Sequence, residues 1–299
     1  MTVIFEQVLI LFIFVSIGYA LGKGQIAKTD HAQILSGILV NVFLPCNIFK
    51  TFSSRFTLAY IRSSYEILLA SIGILSVLVS VAHIAAKLFS KETYERYVYQ
   101  YSLAVPNYGY MGYALAEALL KETGLTNMMT FALPVSLYVY TIGFANLTKR
   151  GLSLKKLCNP IMIATVSGIA AGLCGISTPE ILTSVLQKAS GCMAPVSMLL
   201  TGIMISELSV KKIICNPRLY LLTALRLVVI PLLLGSVLSA FCKLPTVQTA
   251  VLFYALPCGL NTVVFPKLIN KNCEIGAGLA LISTVFACVT LPVVLGIFI

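Results

Sequence analysis

Two short stretches place ligand-recognising residues inside an otherwise apolar chain: Pro106-Asn107-Tyr108-Gly109 and Pro257-Cys258-Gly259-Leu260-Asn261. Each proline removes a backbone N–H and clashes with a preceding carbonyl, glycine permits unwinding, and asparagine supplies both donors and acceptors. Lipid cannot satisfy the carbonyls that such a break releases, so the break must face protein or a water-filled cavity. Half-helix N-termini and free carbonyls exposed there suit an anionic or polar ligand. The chemistry is binding and not bond-making. No set of nucleophile, base and orienting residue assembles from the motifs, and neither a phosphate-binding glycine loop nor a nucleophile elbow occurs. For either stretch taken alone, a proline kink satisfied by neighbouring helices is the competing reading.

Other polar residues are candidates to flank the same site. Asn41, Pro45 and Asn47 lie in LVNVFLPCNIFKTF, and Pro195, Ser197 and Thr201 in APVSMLLTG; for any single hydroxyl, a hydrogen bond to a neighbouring helix is the plainer role. Arg226, inside an apolar run, has two readings: a bidentate carboxylate contact or a side chain that snorkels to the interface. Glu66, Glu117 and His83 stand near span ends, where proton coupling competes with solvated or paired interfacial roles. Tyr99, Tyr101, Tyr108, Tyr110 and Tyr113 surround the first break and offer hydroxyls or an aromatic wall. The nine cysteines include no Cys-x-x-Cys pair, and His31 and His83 share no ligand-like spacing with them, so packed thiols are expected and neither metal nor cofactor.

The elements that must hold these residues are membrane helices. The chain has 299 residues, 59% of them hydrophobic and only 10% charged, with a mean hydropathy of +0.96. Ten apolar windows follow, at about 2–22, 33–50, 64–88, 97–120, 127–147, 160–176, 190–207, 218–241, 246–266 and 275–298. Alternate loops carry fourteen and six Lys/Arg residues, which predicts the richer side in the cytoplasm and both termini outside. The net charge of +11 is thus a topology signal and not a nucleic-acid surface. The first run lacks a basic leader and carries Glu6, so a cleaved signal peptide is not expected.

Ten windows divide into two sets of five. An odd number per half predicts that the second half enters the membrane upside down relative to the first, with halves at 1–148 and 160–299 and a connector at 149–159. The prolines give the register: Pro45 and Pro195 are 150 residues apart, and Pro106 and Pro257 are 151 apart.

The series VNVFLPCNIFKTF, PNYGYMGYALAEAL, APVSMLLTGIMI and ALPCGLNTVVFPKL, followed by EIGAGLALISTVFACVTLPVV, resembles the auxin efflux carrier family of permeases over nearly the whole chain. The resemblance implies an all-α membrane fold of ten transmembrane helices, arranged as two inverted five-helix repeats related to bile acid-sodium symporters. It further implies that helices 4 and 9 are broken and cross at their prolines, with substrate bound beside the crossover. Pro106, Asn107, Pro257 and Asn261 match those positions, and Asn47 and Ser197 match looser ones. Val105 stands where plant members have another asparagine, the central connector is short, and span 3 lacks their Asp/Lys pair. The chain therefore resembles compact microbial permeases, for which small carboxylates such as malate or malonate are implied.

The expected function is a secondary transporter of a small organic anion in the cell membrane, exporting by an elevator-like displacement; direction and mode come from the resemblance. The site residues expected are Pro106, Asn107, Tyr108, Pro257, Asn261, Asn47, Ser197 and Arg226. The partners are the anion and the lipid bilayer, with a homodimer as a further option. Sodium- or proton-coupled uptake and a non-transporting receptor or scaffold are the alternatives.

Overall fold

The computed structural model describes residues 2–27, 29–148, 158–206, 216–267 and 274–299, and it is nearly all helical, with no strand among them. Helix α1 is Thr2–Lys23, and α2 runs through Thr29–Ile38, a π-helical turn Leu39–Phe43 and Leu44–Arg55. Helix α3 is Leu58–Phe89, and α4 is Thr93–Ala104. Helix α5 begins with a π turn Tyr108–Gly112 and continues through Tyr113–Tyr138, a second π turn Val139–Gly143 and Phe144–Thr148. Helix α6 is Pro160–Leu173 and α7 is Glu180–Ser206. Helix α8 is Pro217–Ala224, a π turn Leu225–Val229 and Ile230–Leu238. Helices α9, α10 and α11 are Leu244–Ala255, Asn261–Lys267 and Glu274–Phe298. The expected connector 149–159 and eight of the fourteen basic residues on the predicted cytoplasmic side lie wholly or mostly outside the described residues.

Local sequence sets the helix ends. The Thr57 hydroxyl accepts from Tyr60 N at 3.1 Å to open α3. Asn159 and Asn216 cap α6 and α8 from just before Pro160 and Pro217, where the missing proline N–H costs nothing. The π turn of α2 ends two residues before Pro45, which has no N–H to give a regular bond to Asn41, so the backbone widens there instead of breaking.

Among the described residues, six helical stretches are long and apolar enough to cross a membrane, and three shorter apolar ones are Val8–Lys23, Pro160–Leu173 and Leu244–Ala255. One window prediction needs correction. The seventh window starts at 190, whereas α7 starts at Glu180, because a helix continues past polar residues such as Lys188 that an apolar window rejects. The fourth and fifth windows meet in the stretch Tyr108–Thr148, of 41 residues, which holds two helices across a kink. At 1.5 Å per residue that is about 60 Å, twice the hydrocarbon thickness of about 30 Å. The chain turns within it at Lys121, whose φ of 57° and ψ of −160° are not helical. Gly124 permits the corner, since a Cβ there would lie 1.9 Å from the Leu120 Cβ.

The helices pack as two groups. In the first, α1 lies along α7 and the second half of α2 lies along α6. Backbone contact is close at the α1–α7 seam: a Cβ on Gly18 would stand 2.1 Å from Leu199 O, and one on Gly202 2.0 Å from Val15 O. Small residues of this kind let membrane helices approach where water gives no driving force. In the second group α3 packs on α4 and α5, α8 on α9, and α11 on both α8 and α9. Lipid-facing positions such as Leu69, Val77 and Leu88 on α3 are exposed and apolar.

Candidate functional site

The two broken stretches meet. Helix α4 ends at Ala104, Val105 is extended, and the next helical residue is Tyr108; helix α9 ends at Ala255, Leu256 is extended, and α10 starts at Asn261. The gaps run antiparallel, bridged between Pro106 and Cys258. Asn107 N–H donates to Pro257 O at 2.9 Å, and Gly259 N–H donates to Val105 O at 3.2 Å. Each break thus satisfies part of the other, which is the protein contact that a break in lipid requires. Cys258 N–H is taken by the Ser283 hydroxyl of α11 at 3.0 Å. The approach is tight at Gly259: a Cβ there would lie 3.2 Å from Pro106 O and 3.3 Å from Val105 O.

A cavity of about 60 Å³ opens beside the crossing. With one water taking roughly 10–15 Å³ on this measure, it holds a few waters or a carboxylate-sized group. Pro106, Asn107, Gly259 and Asn261 line it from the crossing, and Tyr108, Tyr110 and Tyr113 from the start of α5. Ser136 and Tyr140, one helical turn apart further along α5, complete the polar side. Val40, Leu44 and Ile48 of α2 and Ile161 of α6 close it with an apolar wall. The wall belongs to the first helix group and the polar side to the second.

The asparagines differ in their bonding. Asn261 Nδ2 donates to the buried Tyr101 hydroxyl at 2.9 Å. Asn107 is buried, and its carboxamide has no hydrogen-bond partner among the described residues. The Tyr108 hydroxyl lies 2.9 Å from Ser136 Oγ, and its ring stacks on Phe253 with centroids 5.4 Å apart. Tyr99 stands away from the cavity, stacked on Phe89.

The remaining candidates do not line the cavity. Pro257 contributes its carbonyl to Asn107. Asn47 on α2 is fully buried, with Nδ2 at 3.1 Å from Met193 Sδ and Oδ1 without a partner among the described residues. The Ser197 hydroxyl of α7 donates to Tyr110 O at 2.8 Å, within the π turn that opens α5. Arg226 does not snorkel: it is fully buried in the π turn of α8, with Nη1 donating to Leu103 O at 2.5 Å and Nε to Leu256 O at 3.4 Å. Glu66 accepts the N–H of Lys243 at 2.7 Å, the residue that caps α9, and so holds a helix start. His83 faces outward on α3. No group of three His, Cys, Asp or Glu residues is placed to hold a metal among the described residues.

Tyr140 and Ser136 were not singled out from the sequence. Their four-residue spacing puts both on one face of α5, but a Ser and a Tyr within SLYVYTIG carry no signal of which face that is.

Residues 3–156 match a family model described as membrane transport protein, and residues 147–295 match it a second time. No curated protein matches the sequence.

Proposed function

The chain belongs to this membrane transport protein family, the auxin efflux carrier family, and on that premise we propose that it is a secondary transporter of a small organic anion such as a carboxylate. It is a multi-pass membrane protein of that transporter family. The observation that carries the substrate reading is the pairing of the two breaks beside a cavity in which the buried Asn107 carboxamide has no hydrogen-bond partner among the described residues. Amide donors, tyrosine hydroxyls and the N-terminal ends of α5 and α10 converge there. Such groups favour an anion without a charged side chain in the lining.

The architecture in this reading is ten crossings in two inverted repeats. Dividing α5 at Lys121, and joining α4 and α9 to the half-helices that follow them, gives ten. The two family matches fall one to each half. Exchanging the halves maps α1 on α7 into α6 on α2, and α3 on α4 into α8 on α9, and all four packings occur. The excess of basic residues on alternate loops supports both termini outside the cell membrane. Movement of the crossover group against α1, α2, α6 and α7 would expose the cavity alternately, an elevator-like mode. Export of a monoanion gains about 2.3 kcal/mol per 100 mV of membrane potential.

Purified protein in proteoliposomes, tested with labelled mono- and dicarboxylates under imposed voltage, sodium or pH gradients, checks the reading. Saturable transport driven by voltage is expected. A folded preparation that moves none of the anions overturns it, and a strict sodium or proton requirement replaces export with coupled uptake.

A further inference from the structure

The two helices that end at the crossing point their last carbonyls into protein, and one side chain takes a carbonyl from each. Leu103 lies in the last turn of α4, and Leu256 follows the end of α9. Arg226 bonds both, through Nη1 at 2.5 Å and Nε at 3.4 Å, and its guanidinium carbon lies 5.4 Å from the centre of the Tyr254 ring. Its relative exposure is 0%, and Nη2 has no partner among the described residues.

Three physical facts make this more than packing. A helix C-terminus carries roughly half a negative charge, and two of them meet here in the membrane interior. Arginine keeps its proton in proteins, so the neutralising charge is permanent. Unwound carbonyls and half-helix C-terminal ends are also the groups by which carriers with broken helices coordinate a coupling cation. Here these oxygens are already occupied by a cation that cannot leave, and its hydrogen-bond partners are carbonyls and not a carboxylate.

We propose that Arg226 is the positioning residue of the crossover, a tethered cation that joins the carbonyl ends of α4 and α9 where a diffusible cation would otherwise be required. Arg226 thereby sets the distance between the two half-helix starts that face the cavity, without lining the cavity itself. The proposal rests on the transporter reading for its kinetic consequences but not for its structural ones.

The test uses the full-length protein and the variants Arg226→Lys, Arg226→Met and Arg226→Ala. Two readouts are taken: transport of the labelled carboxylate panel in sodium, potassium or N-methylglucamine media, and thermal unfolding in detergent with and without millimolar guanidinium. Wild-type transport is expected to be equal in all three media. Arg226→Lys should retain most of the rate, whereas Arg226→Met and Arg226→Ala should lose at least tenfold. Arg226→Ala should regain at least threefold in rate, and a higher unfolding temperature, on adding guanidinium, to which wild type is indifferent. An Arg226→Met protein equal to wild type in both readouts overturns the proposal, as does an Arg226→Lys protein as impaired as Arg226→Met. If Arg226→Ala does not fold, the Lys and Met variants decide. If wild type moves no anion, the transport reading fails separately, and the unfolding response still decides the role of Arg226.

Discussion

Asn107 and Asn261 are chemically the same residue at paired breaks, but their surroundings assign them different costs. Asn261 satisfies the hydroxyl of the buried Tyr101. Replacing it with alanine orphans that hydroxyl, which costs about 1–3 kcal/mol. The carboxamide of Asn107 has no partner among the described residues, so Asn107→Ala orphans nothing. The expected outcome is a split: Asn107→Ala leaves the unfolding temperature near wild type and raises KM by about 10- to 100-fold, the equivalent of one hydrogen bond to a charged group. Asn261→Ala lowers the unfolding temperature as well. Calorimetry in detergent, paired with concentration-dependent uptake in proteoliposomes, checks both. Equal loss of stability in the two variants would remove the distinction between a ligand contact and a structural one.

At the scale of elements, the crossing depends on how closely two unwound backbones approach. Gly259 and Gly109 sit on opposite partners of that crossing and make a controlled comparison. A side chain at Gly259 meets Pro106 O and Val105 O at 3.2 and 3.3 Å, whereas one at Gly109 meets nothing within 4 Å. Gly259→Val should therefore force the Gly259–Val105 bond apart and lower the unfolding temperature. Gly109→Ala should leave stability within about 0.5 kcal/mol, as an unobstructed substitution does, and alter only transport, because Gly109 lines the cavity. Thermal unfolding of both variants tests this, and equal destabilisation would contradict the backbone contact. The breaks themselves were legible in the sequence because proline, glycine and asparagine act locally, on their own few residues. The role of Arg226 was not: its acceptors, Leu103 and Leu256, are 123 and 30 residues away, and only the crossing brings them to one side chain. The corner at Lys121 was legible as a gap between two apolar windows, while the helical geometry on both sides of it was not. The early start of α7 was hidden for the opposite reason, since helix propensity continues where hydropathy stops.

The whole molecule is two helix groups with a small cavity between them, and an elevator-like mode requires the contacts joining those groups to be breakable. The seams within the first group are not of that kind: Gly18 and Gly202 bring backbones into contact along α1 and α7. Between the groups, side-chain polar links among the described residues include a bond of the Tyr110 hydroxyl with the Ser36 hydroxyl of α2. The Ser197 hydroxyl of α7 reaches Tyr110 O, and Arg55 at the end of α2 pairs with Glu122 just beyond the Lys121 corner of α5. The Arg55–Glu122 pair is exposed, at 47% and 58%, so water and salt screen it and it contributes little to stability. In an elevator-like mode its consequence belongs to rate and not to folding, because an ion pair across an interface that moves favours whichever arrangement forms it. Glu122→Gln should leave the unfolding temperature unchanged and shift the transport rate by only a few-fold, the range a surface ion pair spans. The wild-type rate should converge on that of the variant as ionic strength rises through the range where the Debye length falls from about 10 to 3 Å. The exchange Arg55→Glu with Glu122→Arg should restore the wild-type rate and its salt dependence. Transport measured in proteoliposomes at graded ionic strength decides the matter: a Glu122→Gln rate equal to wild type at low salt would mean that this pair does not cross the interface that moves.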